Sequence, residues 1–280
     1  MQTVTAWMKR HPVLGYYVLV FAISWLGIII ALGPGGFLGT TQTARTQLFV
    51  GGPIALLGPS IGGVLMTGLI YGRPGLRQLL ARLLKWRVRA GWYAFALLIA
   101  PVLTTASLLV LSMTPAIVTA EDKIGMLLSG IVLGIVSSPF FEELGWTGFA
   151  TPELRKDFGV LATGLIMGVL WGAWHFPVFS ASARASTSPP PALFMAILLF
   201  SWLVPYRALM VWVYDHTQSV LLTILMHVPI VVDQFVLSPA ASTSGQITAQ
   251  NLVFTVLLWG TVAVVYAASR GKPAGAGSST

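Results

Sequence analysis

Runs of about 20 apolar residues, the length a helix needs to cross a hydrocarbon core of about 30 Å, leave this 280-residue chain little choice of fold. They fall near 12–34, 49–71, 92–113, 124–144, 159–176, 192–213, 218–237 and 249–269. Within a bilayer each backbone amide must be satisfied inside its own segment, so runs of this length are helices. The expected class is all-α, a polytopic membrane protein of about eight transmembrane helices in one bundle. Composition agrees: only 9% of residues are charged and 56% are hydrophobic, against roughly 25% charged in a soluble domain. The first run follows Lys9-Arg10-His11 and exceeds the 7 to 15 residues of a signal h-region, so it reads as a retained helix. Residues 1–270 form one transmembrane domain on this reading, and residues 271–280 a flexible Gly/Ser/Ala tail.

The net charge of +8 is a matter of topology. Lys9, Arg10, Arg73, Arg77, Arg82, Lys85, Arg87, Arg89, Arg155, Lys156, Arg270 and Lys272 lie on one side of the alternating spans, and Arg45, Lys123 and Arg184 on the other. By the positive-inside rule both termini are cytoplasmic in a multi-pass plasma-membrane protein. The basic excess is then explained by orientation and by lipid headgroups, with no nucleic-acid partner. Residues 73–89 repeat leucine at helical spacing under a basic face, a pattern that lies along the inner membrane surface. His11 and His216 read as interfacial, and Trp86, Trp92 and Trp259 as interface anchors. No cysteine is present, so disulfides, thiolate catalysis and thiolate metal sites are excluded.

Charge at membrane depth is expensive, and where it occurs it marks function. Glu142 and Glu143 are adjacent near the end of the fourth run; His175 ends the fifth, and His227 lies in the middle of the seventh. Straight helices cut at those boundaries separate the glutamates from His175, but the apolar stretch from Leu144 to Ala150 lets the fourth helix continue and bury the glutamates near mid-depth. A carboxylate in apolar surroundings suits general-base work, and an imidazole beside it orients water or binds a divalent metal. His-Glu-x-x-His, the usual helix-borne zinc motif, is absent.

Three blocks carry a resemblance: Glu142-Glu143-Leu144-Gly145-Trp146-Thr147-Gly148-Phe149, Trp171-Gly172-Ala173-Trp174-His175-Phe176-Pro177, and the stretch from Arg207 to His227. In order and spacing, over roughly residues 124–235, they resemble the CPBP family, the type II CAAX prenyl endopeptidases and their Abi relatives. The resemblance implies peptide-bond hydrolysis in the membrane. It implies Glu142 and His175 holding and activating water, His227 stabilising the oxyanion, and Glu143 beside them. Trp171, Trp174 and Arg207 are the candidates for substrate contact. If a metal such as zinc is used, Glu142, His175 and His227 are its ligands; the sequence leaves that open. Expected partners are a peptide or prenylated protein substrate and membrane lipid.

Two positions depart from the family pattern. Thr147 stands where the family usually has Arg, which removes the expected ion-pair partner of Glu143 and makes Arg207 the candidate replacement. Val231 stands one turn after His227, where Asn or Asp is usual, and valine cannot donate to an oxyanion. Asp233 lies about 200 degrees further round that helix and is a poor substitute. The alternatives are therefore an impaired family member acting as a membrane binding, immunity or scaffold protein, and a transporter using Glu142 and His175 as a relay. Inverted repeats, which favour a transporter, are not visible.

Overall fold

The computed structural model describes residues 2–136, 139–240 and 242–270. Ser137, Ser138 and the tail from residue 271 lie outside the described residues. The protein is helical throughout, as expected, and the described residues contain no strand, only one isolated bridge between Pro115 and Pro239. In chain order the main helices are α1 (Gln2–Arg10), α2 (Pro12–Phe37), α3 (Leu57–Leu83), α4 (Ala90–Val110), α5 (Lys123–Val136), α6 (Pro139–Gly145), α7 (Thr151–Leu154), α8 (Val160–Trp174), α9 (Phe176–Arg184), α10 (Pro191–Phe200), α11 (Leu203–Thr217), α12 (Val220–Val236) and α13 (Ser244–Arg270).

Among the described residues, six helical runs are long and apolar enough to cross a membrane, or seven if the bent pair α8 and α9 is one span. Each of the eight apolar segments read from sequence is helical. The count of eight crossings is not established by length, because α12, at 17 residues, spans about 25 Å. Two sets of contacts define the ends of the bundle. At one end Arg82 reaches Tyr214 and Gly148, Arg155 pairs with Asp215, and Ser219 donates to the Lys85 carbonyl. At the other end Arg184 donates to the Leu38 carbonyl, Ser180 to the Phe37 carbonyl, and the Ala116 amide to the Ser238 carbonyl. Successive segments therefore run back and forth between a basic end and an opposite end.

Large apolar side chains cover the outside: Ile30, Leu109, Ile124, Val256 and Val264 are all exposed. Inside are groups that a soluble core rarely holds, including the fully buried Arg207, Trp171, Tyr16 and Trp146. This inversion is expected where lipid is the solvent, since apolar faces gain nothing by turning inward there.

Small residues set the central packing. On α8, Gly164, Gly168 and Gly172 recur every fourth residue and form one stripe. A methyl group added at Gly164 would lie 2.5 Å from the Ala208 Cα, and one at Gly168 would lie 2.7 Å from the Val204 Cα. Close contact of α8 with α11 follows, and this brings Trp171 to Arg207.

The basic segment after residue 72 is organised more tightly than a surface helix requires. Gly72 takes φ 59°, a left-handed conformation open to glycine, and redirects the chain at Arg73. The remaining turns of α3 bury Leu79 and expose Leu80. Arg82 donates to the Tyr214 hydroxyl at 2.7 Å and the Gly148 carbonyl at 3.0 Å, so the segment is bolted to the helices that carry the polar site. Nearby, Lys156 contacts Glu153 and Tyr71. Partial burial pushes its amine down, but those two partners outweigh the effect and hold it above its ordinary pKa.

Candidate active site

Adjacent residues on a helix point about 100 degrees apart, so Glu142 and Glu143 on α6 cannot share one set of partners. Glu142 faces α8: its Oε2 accepts from the Trp171 indole N–H at 2.6 Å and from that of Trp146 at 3.3 Å. Glu143 faces α11 and α12. Its carboxylate takes both terminal nitrogens of Arg207, at 2.8 and 2.9 Å, and Nδ1 of His227 at 3.0 Å. The Thr147 hydroxyl also donates to Oε2 of Glu143. Glu142 is 1% and Glu143 0% exposed, so these contacts stand in for the water that both carboxylates lose.

The helix does not stop at the glutamates. After α6 a π turn, Trp146–Ala150, leads into α7, and the whole run extends from Lys123 to Leu154. Glu142 therefore sits about 18 Å from the basic end by helical rise. The corresponding figure is about 22 Å for His175, about 15 Å for Arg207 and about 10 Å for His227, measured from the ends of their own helices. The apparent mismatch in depth disappears because the run outlasts its most apolar part.

His175 sits at the 60° bend between α8 and α9. Its Nδ1 lies 2.8 Å from the Trp171 carbonyl oxygen. A carbonyl can only accept, so Nδ1 is the donor, and the neutral ring keeps its lone pair on Nε2. The same reasoning applies to His227: Nδ1–H donates to the Glu143 carboxylate, which leaves Nε2 as the working nitrogen.

Trp171 is the hub. Besides its bond to Glu142, its ring lies 4.2 Å from the Arg207 guanidinium carbon, and its centroid lies 5.4 Å from that of His175 and 5.3 Å from that of His227. Trp174 backs this group, with its ring 4.7 Å from His175 and its indole N–H on Ser24 of α2. The bundle thus gathers Glu142, Glu143, His175, His227, Trp171, Trp174 and Arg207 around one indole. Arg207 supplies the cation that Thr147 does not, and Thr147 keeps a hydrogen bond to the same carboxylate. With both terminal nitrogens on Glu143 and no exposed surface, Arg207 is oriented toward that carboxylate rather than toward an open face.

Among the described residues no three His, Asp or Glu groups converge closely enough to hold an ion. Oε2 of Glu142 takes two indole donors, and Nδ1 of His227 is bound to Glu143. Glu142, His175 and His227 are the ligand set expected if a metal is used; the bonds named engage one oxygen of the first and one ring nitrogen of the last.

Val231 is half-buried one turn beyond His227 and brings no donor. Asp233 turns away to α4, where the Thr104 hydroxyl donates to it at 3.0 Å. Three contributors were missed from sequence. Trp146 and Thr147 each lie four residues after the glutamate they bond, an i,i+4 signal that was there to be read. Tyr16 had no such signal: its buried hydroxyl, without a partner among the described residues, sits where a side chain on Gly145 would be, 2.3 Å from that position.

Residues 124–231 match the family model described as type II CAAX prenyl endopeptidase Rce1-like, a stretch that contains both glutamates, both histidines and Arg207. A curated relative, CAAX prenyl protease 2 of Methanococcus maripaludis, is 26% identical over 105 residues. That alignment covers 37% of this chain and 39% of the relative, so the chain spans about two fifths of the length of the curated protein it matches.

Proposed function

We propose, from the match of residues 124–231 to the Rce1-like family model, that this chain is a CPBP-type protein and an intramembrane endopeptidase of the CAAX type. The observation that carries this reading is the position of Glu142: a buried carboxylate bonded to Trp171, one helical turn from His175, with His227 against the same indole. In the proposed reaction Glu142 takes a proton from water as the oxygen attacks the scissile carbonyl. His175, with Nε2 unprotonated, accepts the second hydrogen bond of that water and orients it. His227, held by Glu143 through Nδ1–H, turns Nε2 toward the tetrahedral oxyanion and donates to it once that nitrogen carries a proton. The proton held by Glu142 then passes to the leaving amine as the C–N bond breaks. Proton transfer of this kind is worth about 10² to 10⁴ in rate, and one oxyanion donor about 10² to 10³.

Glu143 and Arg207 have a positioning role in this scheme: they hold His227 with Nε2 turned inward. The substrate class we assign is a membrane-associated peptide, prenylated proteins included, cut within the bilayer. In this proposal the basic end faces the cytoplasm of a plasma membrane, with both termini on that side. A second reading, a catalytically silent binding or immunity protein, is favoured by Val231, which leaves the oxyanion one donor short. Purified protein in detergent, offered a panel of prenylated and unprenylated peptides beside Glu142→Ala and His175→Ala, tests both. Cleavage lost in the two variants supports the protease; cleavage surviving both removes the mechanism, and none by any form favours the silent protein.

A further inference from the structure

A second polar group lies buried outside the catalytic cluster, in a cavity of about 210 Å³ at the end opposite the basic loops. Its wall includes the apolar side chains Phe179 of α9, Trp202 before α11, Ile230 of α12 and Phe254 of α13, with Gln234, Gln250 and Asn251 beside them. Asp233 is the only charged residue lining it among those described, and it is 6% exposed. Among the described residues its carboxylate accepts one hydrogen bond, from Thr104 onto Oδ2. A carboxylate has about four acceptor positions; buried with a single neutral donor it is poorly compensated as an anion, and a cation brought beside it restores the balance.

The cavity adjoins the catalytic cluster. Trp202 lies 6.4 Å from Trp171 and Phe179 lies 5.8 Å from His175, centroid to centroid. Ile230 is on the same helix as His227, one turn later. From His227 to Asp233 the rise along α12 is about 9 Å, the reach of two to three residues of extended peptide at about 3.3 Å each. The volume falls below the roughly 300 to 1,000 Å³ of pockets for drug-sized ligands, and matches one side chain.

We infer that this cavity is a specificity subsite for a lysine or arginine side chain of the substrate, two or three residues from the scissile bond. The methylene stem lies along Phe179, Ile230 and Phe254, as the stems of long basic side chains do on apolar surfaces. The charged head pairs with Asp233, and Trp202 offers a ring face for cation–π contact. The inference rests on the protease reading for the identity of the ligand, but binding tests it without cleavage.

Full-length Glu142→Ala protein in nanodiscs is titrated with fluorescent, end-blocked peptides in which one lysine is moved along the sequence, each beside its Nε-acetyl-lysine counterpart. At one register lysine binds at least about tenfold more tightly than acetyl-lysine, the size expected of a close buried charge pair. Adding Asp233→Asn, which keeps an acceptor for Thr104, removes that preference and leaves acetyl-lysine binding unchanged. Equal or undetectable binding of both peptides at every register overturns the inference, as does a preference that survives Asp233→Asn. The lysine comparison in protein that retains Asp233 decides the matter even if the substituted protein does not fold. A lysine preference in a protein whose wild type cleaves nothing sinks the protease reading and leaves the subsite standing.

Discussion

The Trp171 indole N–H donates to Oε2 of Glu142 at 2.6 Å, and the same ring lies against Arg207, the cation that pairs with Glu143. One side chain on α8 thus joins two carboxylates that their own helix points in different directions. Glu142 is held by two neutral indole N–H donors. Glu143 is held by a guanidinium, an imidazole and a hydroxyl, and serves to fix the frame.

Removing the cation exposes this difference. Arg207→Met leaves Glu143 as a buried carboxylate without its bidentate partner, a loss of about 3 to 5 kcal/mol. Thermal unfolding in detergent should show a clear fall in Tm. Thr147→Arg alone adds a second buried cation and also lowers Tm, whereas combining it with Arg207→Met recovers part of the loss. Additive losses in the double variant would show that the two positions do not exchange roles.

Trp171→Phe keeps an aromatic face for Arg207 and deletes only the N–H on Glu142. A hydrogen bond to a charged group is worth about 1.5 to 3 kcal/mol, so kcat should fall about 10- to 100-fold with KM little changed. A rise in KM at constant kcat would instead identify Trp171 as a substrate contact.

Val231→Asn places a donor one turn from His227, on the same face. If the oxyanion lacks one hydrogen bond, kcat should rise about 100-fold in initial-rate assays of peptide cleavage, with Tm within a few degrees of wild type. An unchanged kcat would mean that His227 suffices alone.

Gly168→Ala drives a methyl group toward the α11 backbone at Val204, 2.7 Å away. Overpacking of this kind costs about 1 to 3 kcal/mol. It also moves Trp171 relative to Arg207, so activity should fall further than Tm alone accounts for. Equal activity per folded molecule would show that the α8–α11 spacing does not tune the site.

The fold class and the candidates for a polar cluster were legible for different reasons. The apolar runs have only one state available in lipid, so helices followed directly, and carboxylates and imidazoles at membrane depth stand out against an uncharged background. The number of crossings was less clear, because α12 is short and α8 bends at His175; both depend on packing that a hydropathy window does not register. Arg207 could be named as a partner for Glu143 because it was the remaining basic residue within a span. Trp171 as hub could not, since nothing in its local sequence says that Glu142, Arg207, His175 and His227 arrive at four sides of one ring. The cavity beside Asp233 is assembled from several helices far apart in sequence, so no local pattern announces it.

The division between the glutamates is tested most directly by comparing Glu142→Gln and Glu143→Gln for kcat on a cleavable peptide and for Tm in the same detergent. Glu142 as general base predicts a kcat loss of about 10² to 10⁴ in Glu142→Gln with Tm nearly unchanged, and a marked fall in Tm for Glu143→Gln as Arg207 loses its counter-charge. Full activity in Glu142→Gln, or a Tm loss confined to that variant, would contradict it.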